Sequence, residues 1–287
     1  MNRVVNELAI QKIIEKTGEL MKLFHDPFQI QLINDSNNKV FKVKGNIEVI
    51  AKVGLAGWGK DEFRTLKKLL LKGYNVPKPI TFISFQKELD DDLYFGNLDR
   101  EVGILFYFPL KGENLEQHLT YINIRNALNF LKKLHKDKSL INGNIKKYQQ
   151  VEVKRGLHYV QKLLKGELAE KIQEVMKEYQ DLEISSCFIH GGPRLEHFII
   201  KDGQMGMIDF EGACIGDPFK DLGIFFTELL FYKVNKEELI KNYFNRNLGK
   251  EEKKRLQFFE LRALLVKKKF DPSKNILDYI RMLINKL

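Results

Sequence analysis

Residues 189–212 read IHGGPRLEHFIIKDGQMGMIDFEG. Together with the preceding CFI (187–189), the stretch offers two short apolar strands, CFIH and HFII, on either side of a Gly-Pro loop. A third, GMIDF (206–210), follows. An apolar run that ends in one carboxylate, Asp209, makes a poor core and a good oxygen ligand for a hard cation.

Upstream, the pattern is that of a sheet. FQIQLI (28–33), NKVFKV (38–43) and IEVIAKV (47–53) alternate in a strand-like way and are separated by the turn-formers NDSN and KGN. KDEFRTLKKLLLKGY (60–74) then sets Phe63, Leu66, Leu69 and Leu70 at helical spacing, with Gly73 where a helix should stop. ITFISF (80–85) and GILFYF (103–108) supply two more strands, joined by an acidic excursion containing DDDLYFGNLD. From residue 111 the period changes to that of helices. NIRNALNFLKKLHKD, with Asn123 as its expected cap, buries Ile124, Ala127, Leu128, Leu131 and Leu134. Helical patterns resume after residue 221 in LGIFFTELLFY, NKEELIKNYFNRN, EEKKRLQFFELRALLVKKK and NILDYIRMLINK. The expected organisation is a sheet lobe over 1–108 and a helical lobe over 109–287, an α+β fold.

At 287 residues the chain is long enough for two lobes. A composition 44% hydrophobic and 30% charged argues against extended disorder. The apolar runs GILFYFPL and LGIFF fall far short of the ~20 residues that cross a bilayer. The N-terminus mixes Glu and Lys into a helical period, unlike a signal peptide, so a cytoplasmic protein without a membrane span is expected. Cys187 and Cys214 lack metal-ligand spacing and read as free thiols. The net charge is +10, and the lysines are spread along the whole chain, as on a lysine-rich solvated surface.

A small sheet lobe with one crossing helix, followed by a helical lobe carrying a loop between short strands, resembles the layout of eukaryotic-type kinases. IHGGPRLEHFII and MIDFEGACIGDPFKDLGIFF are similar to two motifs of the aminoglycoside phosphotransferase and choline kinase-like family. Those motifs are H-G-D-x-x-x-x-N and I-D-F/W-x-x-x-x-x-G-D-P-x-x-D-L, and the resemblance runs from about residue 28 to about residue 270. It implies a two-lobed protein-kinase-like fold, ATP, and Mg²⁺ or Mn²⁺.

The resemblance carries roles onto particular residues. Lys52, in IAKV, matches the lysine that holds the nucleotide phosphates, and Glu62 on the crossing helix matches its ion-pair partner. The plain alternatives are a solvent-facing strand lysine and a glutamate in its helix's first turn, where negative charge is favoured. Asn37 and Asn38 lie in the loop that would cover the nucleotide, although an ordinary hairpin turn explains them equally well. The backbone near Tyr107, Phe108 and Leu110 would meet the adenine. Asp209 matches the metal-binding aspartate, His190 the loop's scaffold histidine, and Asp217 and Asp221 the residues that hold the loop.

Two positions depart from the pattern. His197 takes the place of the metal-binding asparagine, and imidazole suits Mn²⁺ or Zn²⁺ better than Mg²⁺. Gly192 takes the place of the aspartate that accepts the hydroxyl proton, a role worth roughly 10² to 10⁴ in rate. Glu196, four positions on, is the nearest carboxylate that could substitute, while Arg194 reads as exposed by default. The resemblance therefore implies either an impaired ATP-dependent phosphotransferase acting on a small-molecule hydroxyl, or a pseudokinase that binds nucleotide or a partner. A basic segment, with twelve Lys or Arg against five Glu over residues 231–270, points to a neutral or anionic acceptor rather than a cationic aminoglycoside. Nucleic acid is the weaker candidate partner.

Overall fold

Asn6 starts the first helix: its side chain accepts the Ala9 N–H at 3.0 Å, replacing a partner the helix cannot supply. The helix, α1 (Glu7–Lys16), buries Ala9, Ile10, Ile13 and Ile14 along one stripe, and the short α2 (Gly18–Met21) adds Leu20. The computed structural model describes residues 6–24, 27–35, 38–85, 101–140, 145–270 and 274–285. The acidic excursion of residues 86–100 and Asn37 lie outside them.

The described chain packs as two units. One comprises residues 1–112 with 201–212, the other residues 113–200 with 213–287. In the first, β1 (Gln29–Asp35), β2 (Lys39–Lys44), β3 (Glu48–Leu55), β4 (Lys78–Phe85) and β5 (Val102–Phe108) form one antiparallel sheet in the order β1-β2-β3-β5-β4. Val49, Ala51 and Val53 of β3 join Ile104 and Phe106 of β5 in a core with the α1 stripe. The two-residue period of a strand turns Lys52 to the opposite face.

The helix α3 (Ala56–Leu71) starts four residues earlier than the apolar period alone indicates. Its buried positions are Ala56, Glu62, Leu66 and Leu69, with Phe63 and Leu70 only partly covered. Glu62 is therefore not a first-turn residue; it sits in the buried stripe itself. Gly73 does end the helix, with φ of 73° in the region that only glycine enters without strain.

The second unit opens with β6 (Glu113–Asn114) and α4 (Tyr121–Lys136). Thr120, not Asn123, caps α4: its hydroxyl accepts the Asn123 N–H, while the Asn123 side chain donates back to the His118 carbonyl. The apolar stripe of α4 is as expected from its spacing. Then follow α5 (Ile145–Leu163), α6 (Glu167–Gln180), β7 (Cys187–Ile189) and β8 (Phe198–Lys201). The strand β9 (Gln204–Met207) belongs to the first unit, where the Met207 N–H meets the Asn75 carbonyl at 3.0 Å. A single cut after residue 108 misses this return of the chain, which rests on contacts distant in sequence.

The remaining elements are β10 (Cys214–Gly216), α7 (Pro218–Glu228), α8 (Lys236–Phe244), α9 (Lys250–Phe270) and α10 (Lys274–Ile284). α7 packs closely on α9 at Gly223, where a Cβ would come within 2.6 Å of the Phe259 Cβ. The fully buried Asp217 caps α7 through the Phe219 N–H at 3.0 Å. It also accepts a two-pronged contact from Arg255 of α9 at 2.7 and 2.8 Å and the Tyr179 hydroxyl at 3.2 Å. The Arg255 guanidinium lies over the Phe219 ring, 4.6 Å from its centroid. Both cysteines are free.

Removing one partner of such a buried pair strands the other charge, so Arg255→Ala should lower stability by about 3–5 kcal/mol in urea unfolding. Arg255→Lys cannot reproduce the planar fork and should recover less than half of the loss. Full recovery by lysine would contradict this account.

Candidate functional site

Lys52 stands at the centre of the first unit's polar face. Its ammonium donates to Glu62 Oε2 at 2.9 Å, lies 3.0 Å from Glu211 Oε2, and makes a short contact with Asp209 Oδ1. The lysine side chain is only 10% exposed, so an unpaired ammonium would be costly there. Burial works against its charge, but Glu62, Asp209 and Glu211 together outweigh burial and hold its pKa well above the ordinary lysine value.

Two stretches of chain place the carboxylates, α3 and the segment after β9. Glu62, on α3, uses both oxygens, since Oε1 also accepts the Phe210 N–H at 3.0 Å. One glutamate thus fixes the lysine and the backbone next to Asp209. Burial pushes its pKa up to about 7, with Lys52 pulling the other way. Asp209 follows β9 with φ of 67°, a left-handed conformation that costs a non-glycine residue about 1–3 kcal/mol and persists only where the surroundings impose it. Glu211, two residues on, also accepts from the Asn38 side chain. Asn38 reaches it by lying across Gly54, where a Cβ would sit 2.5 Å from Asn38 Oδ1.

Oxygens of Glu62, Asp209 and Glu211 lie within 4.8 Å of one another. Within this cluster three carboxylates share one ammonium. Oxygen ligands in excess of fixed cations are the donor set that a hard divalent ion takes. Local pattern does not mark Glu211, and the signal for it is its place two residues after Asp209 in MIDFEG.

Tyr107, Phe108 and Leu110 lie at and beyond the end of β5, each partly exposed. Tyr107 pairs with Ile50 and Pro79, and Phe108 with Lys78, whose ammonium is 5.8 Å from the Phe108 ring centroid. Leu110 packs beside Gly206 of β9.

The second unit carries the loop after β7, which pairs with β10. Buried Asp221 accepts the His190 and Gly191 N–H groups, each at 2.8 Å, and His135 Nε2 at 2.9 Å. Burial alone would raise the Asp221 pKa, but His135 and the loop donors hold it below the ordinary value. His190 is itself buried and its Nδ1 faces the Gly192 N–H at 3.4 Å. The Gly192 carbonyl is 3.0 Å from His197 Nδ1, so that nitrogen carries the proton and Nε2 is the basic one. The Glu196 carboxylate rests on the Arg194 guanidinium at 2.9 Å, with 43% of its side chain exposed. A Cβ built on Gly192 meets nothing within 4 Å, and the backbone there is not in the left-handed region.

With this arrangement in view, the comparisons bear on one family. The model of the phosphotransferase enzyme family, APH, matches residues 36–259. The chain belongs to this family. Its fold is protein-kinase-like, and solved structures of similar fold cover nearly its whole length. The amicoumacin kinase hAmiN, solved with AMP-PNP, Ca²⁺ and Ami, is 15% identical at a TM-score of 0.65, over 96% of this chain and 95% of that one. A choline/ethanolamine kinase family protein from Mesorhizobium loti is 15% identical at 0.63, over 96% and 92%. A variant of thermostable aminoglycoside phosphotransferase APH(4)-Ia, in a ternary complex with ADP and hygromycin B, is 13% identical at 0.67, over 96% and 97%. At these identities the likeness is one of fold. No curated protein matches the chain significantly. Among the described residues, no helix is long and apolar enough to cross a membrane.

Glu62 supplies a pH signature. Its folded value of about 7 lies above the ordinary 4.5, so its contribution to stability is complete below about 4.5 and lost as pH rises through about 7. Thermal unfolding of the wild type relative to Glu62→Gln should therefore lose ground between pH 4.5 and 7. Parallel profiles for the two proteins would show that burial does not shift this carboxyl.

Proposed function

We propose that this phosphotransferase-family protein binds ATP with a divalent metal, and that its transfer of the γ-phosphoryl group to a small-molecule hydroxyl is impaired by the glycine at 192. The observation that carries the reading is the contrast between two sites. The charge cluster of Lys52, Glu62, Asp209 and Glu211 is complete, with every carboxylate in contact with the lysine. Position 192 has no proton acceptor.

In this reading the sheet unit binds nucleotide. Lys52 neutralises phosphate charge and is oriented by Glu62, while the backbone near Tyr107, Phe108 and Leu110 meets the adenine and Asn38 covers the phosphates. Asn37, outside the described residues, would belong to the same covering turn. Asp209 and Glu211 would hold Mg²⁺ or Mn²⁺, and His197 is proposed as a further ligand through Nε2. The metal's chemistry, when bound, is to offset phosphate charge. The helical unit supplies the loop scaffold, in which His190 and Asp221 fix the backbone around Gly192.

A pseudokinase is the second reading, and Glu196 favours it: a carboxylate already held by Arg194 is a weak candidate for the missing base. The acceptor is proposed to be neutral or anionic. The unit of residues 113–200 and 213–287 holds 30 Lys and Arg against 21 Asp and Glu, which is +9 of the chain's +10. Such a field repels a cationic aminoglycoside. A cytoplasmic location, where ATP is supplied, completes the proposal.

ATP with Mg²⁺ or Mn²⁺ should raise the unfolding temperature, as any ligand of the folded state does. Lys52→Met and Asp209→Asn should each weaken that response by about tenfold or more in apparent affinity, a loss of ~1.4 kcal/mol or more. If His197 is a ligand, Mn²⁺ should support the shift at lower concentration than Mg²⁺, and His197→Asn should remove the difference. The absence of any shift with either metal would overturn both readings.

A further inference from the structure

We propose that the helical unit carries a second binding site, for a free single-chain anionic amphiphile, in a cleft among α5, α6 and α10. The cleft measures about 410 Å³, within the roughly 300–1,000 Å³ of sites that take small molecules. Its wall is formed by four leucines, Leu164, Leu168 and Leu277 among them, and the polar groups around it are Lys162, Lys165 and Arg281.

Two features choose the ligand. Among the described residues the wall is aliphatic, with no aromatic ring on which a base or sugar could stack and no amide or hydroxyl side chain to fix a polar ring. Among the described residues the charged groups are all cations, and no carboxylate lines the cleft. Asp278 contacts Arg281 at 3.1 Å from outside it, which leaves the cleft with an excess of positive charge. Leu164 is 9% exposed, so the wall reaches into the fold and offers more than a surface stripe.

An alkyl chain gains about 0.8 kcal/mol for each CH₂ taken out of water against such a wall. A carboxylate or phosphate at its end would meet the lysines and the arginine, which can fork onto two oxygens. A neutral amphiphile would gain the first term alone. A nucleotide phosphate would gain only the second.

The test is calorimetric titration of the full chain with dodecanoate below its micelle concentration, with dodecyl phosphate and dodecyl maltoside alongside. Both anions should bind, and the maltoside about tenfold or more weaker. Lys162→Glu with Lys165→Glu, on exposed positions, should leave the unfolding temperature unchanged and cut dodecanoate affinity by about tenfold or more. Leu277→Asn should weaken both anions, while ATP with Mg²⁺ should leave their affinities unaffected, which separates this site from the proposed nucleotide site. Absent dodecanoate binding, equal binding by the charge-reversed protein, or association only with phosphatidylglycerol vesicles would each overturn the proposal.

Discussion

One buried ammonium organises the sheet unit. Lys52 is drawn out of water by its place on a central strand and is kept charged by three carboxylates that come from two other stretches of chain. Neither stretch is local to the lysine: Glu62 arrives on α3, and Asp209 and Glu211 arrive together after β9, some 150 residues later. Because a buried charge without partners is so costly, folding of the strand, the crossing helix and the returning segment becomes one coupled problem. Glu62 tightens the coupling further by holding the Phe210 N–H with its second oxygen.

The helical unit solves a similar problem with different groups. Asp217 and Asp221 are both fully buried and both spend their oxygens on backbone N–H groups as well as on side chains. Asp217 ties α7 to α9 through Arg255, and Asp221 pins the two residues that precede Gly192. The loop around position 192 is thus held in place from below even though the residue itself contributes no side chain. Scaffold and chemistry are separable here, since Gly192 takes part in the loop only through its backbone N–H and carbonyl.

Much of this was legible in the sequence because it depends on short periods and ordered motifs. The alternation through IEVIAKV placed Lys52 on a strand, and the spacing within MIDFEGACIGDPFKDLG pointed to the fold. What local pattern could not supply was tertiary. The stripe of α3 reads as leucines and phenylalanine, yet its buried edge includes Glu62, because the helix starts at Ala56 and turns a carboxylate toward Lys52. Asn123 has the chemistry of a cap, but Thr120 takes the role and leaves Asn123 to bond His118. Glu211 gives no sign of its importance until the chain brings it to Lys52 and Asn38. The leucine cleft beside α10 likewise exists only once three separate helical segments meet.

The central proposal is that the missing carboxylate at position 192 is what impairs phosphoryl transfer by this protein. The first atom of an added side chain is accommodated there, since a Cβ at Gly192 meets no atom within 4 Å. The direct test is the single-turnover rate of ATP hydrolysis by Gly192→Asp against the wild type, with Mg²⁺ and with Mn²⁺. The account predicts a gain of about 10² or more in the variant, in the range a restored general base supplies. An unchanged rate in a variant that still binds ATP would contradict it, and would mark the chain as a nucleotide-binding module.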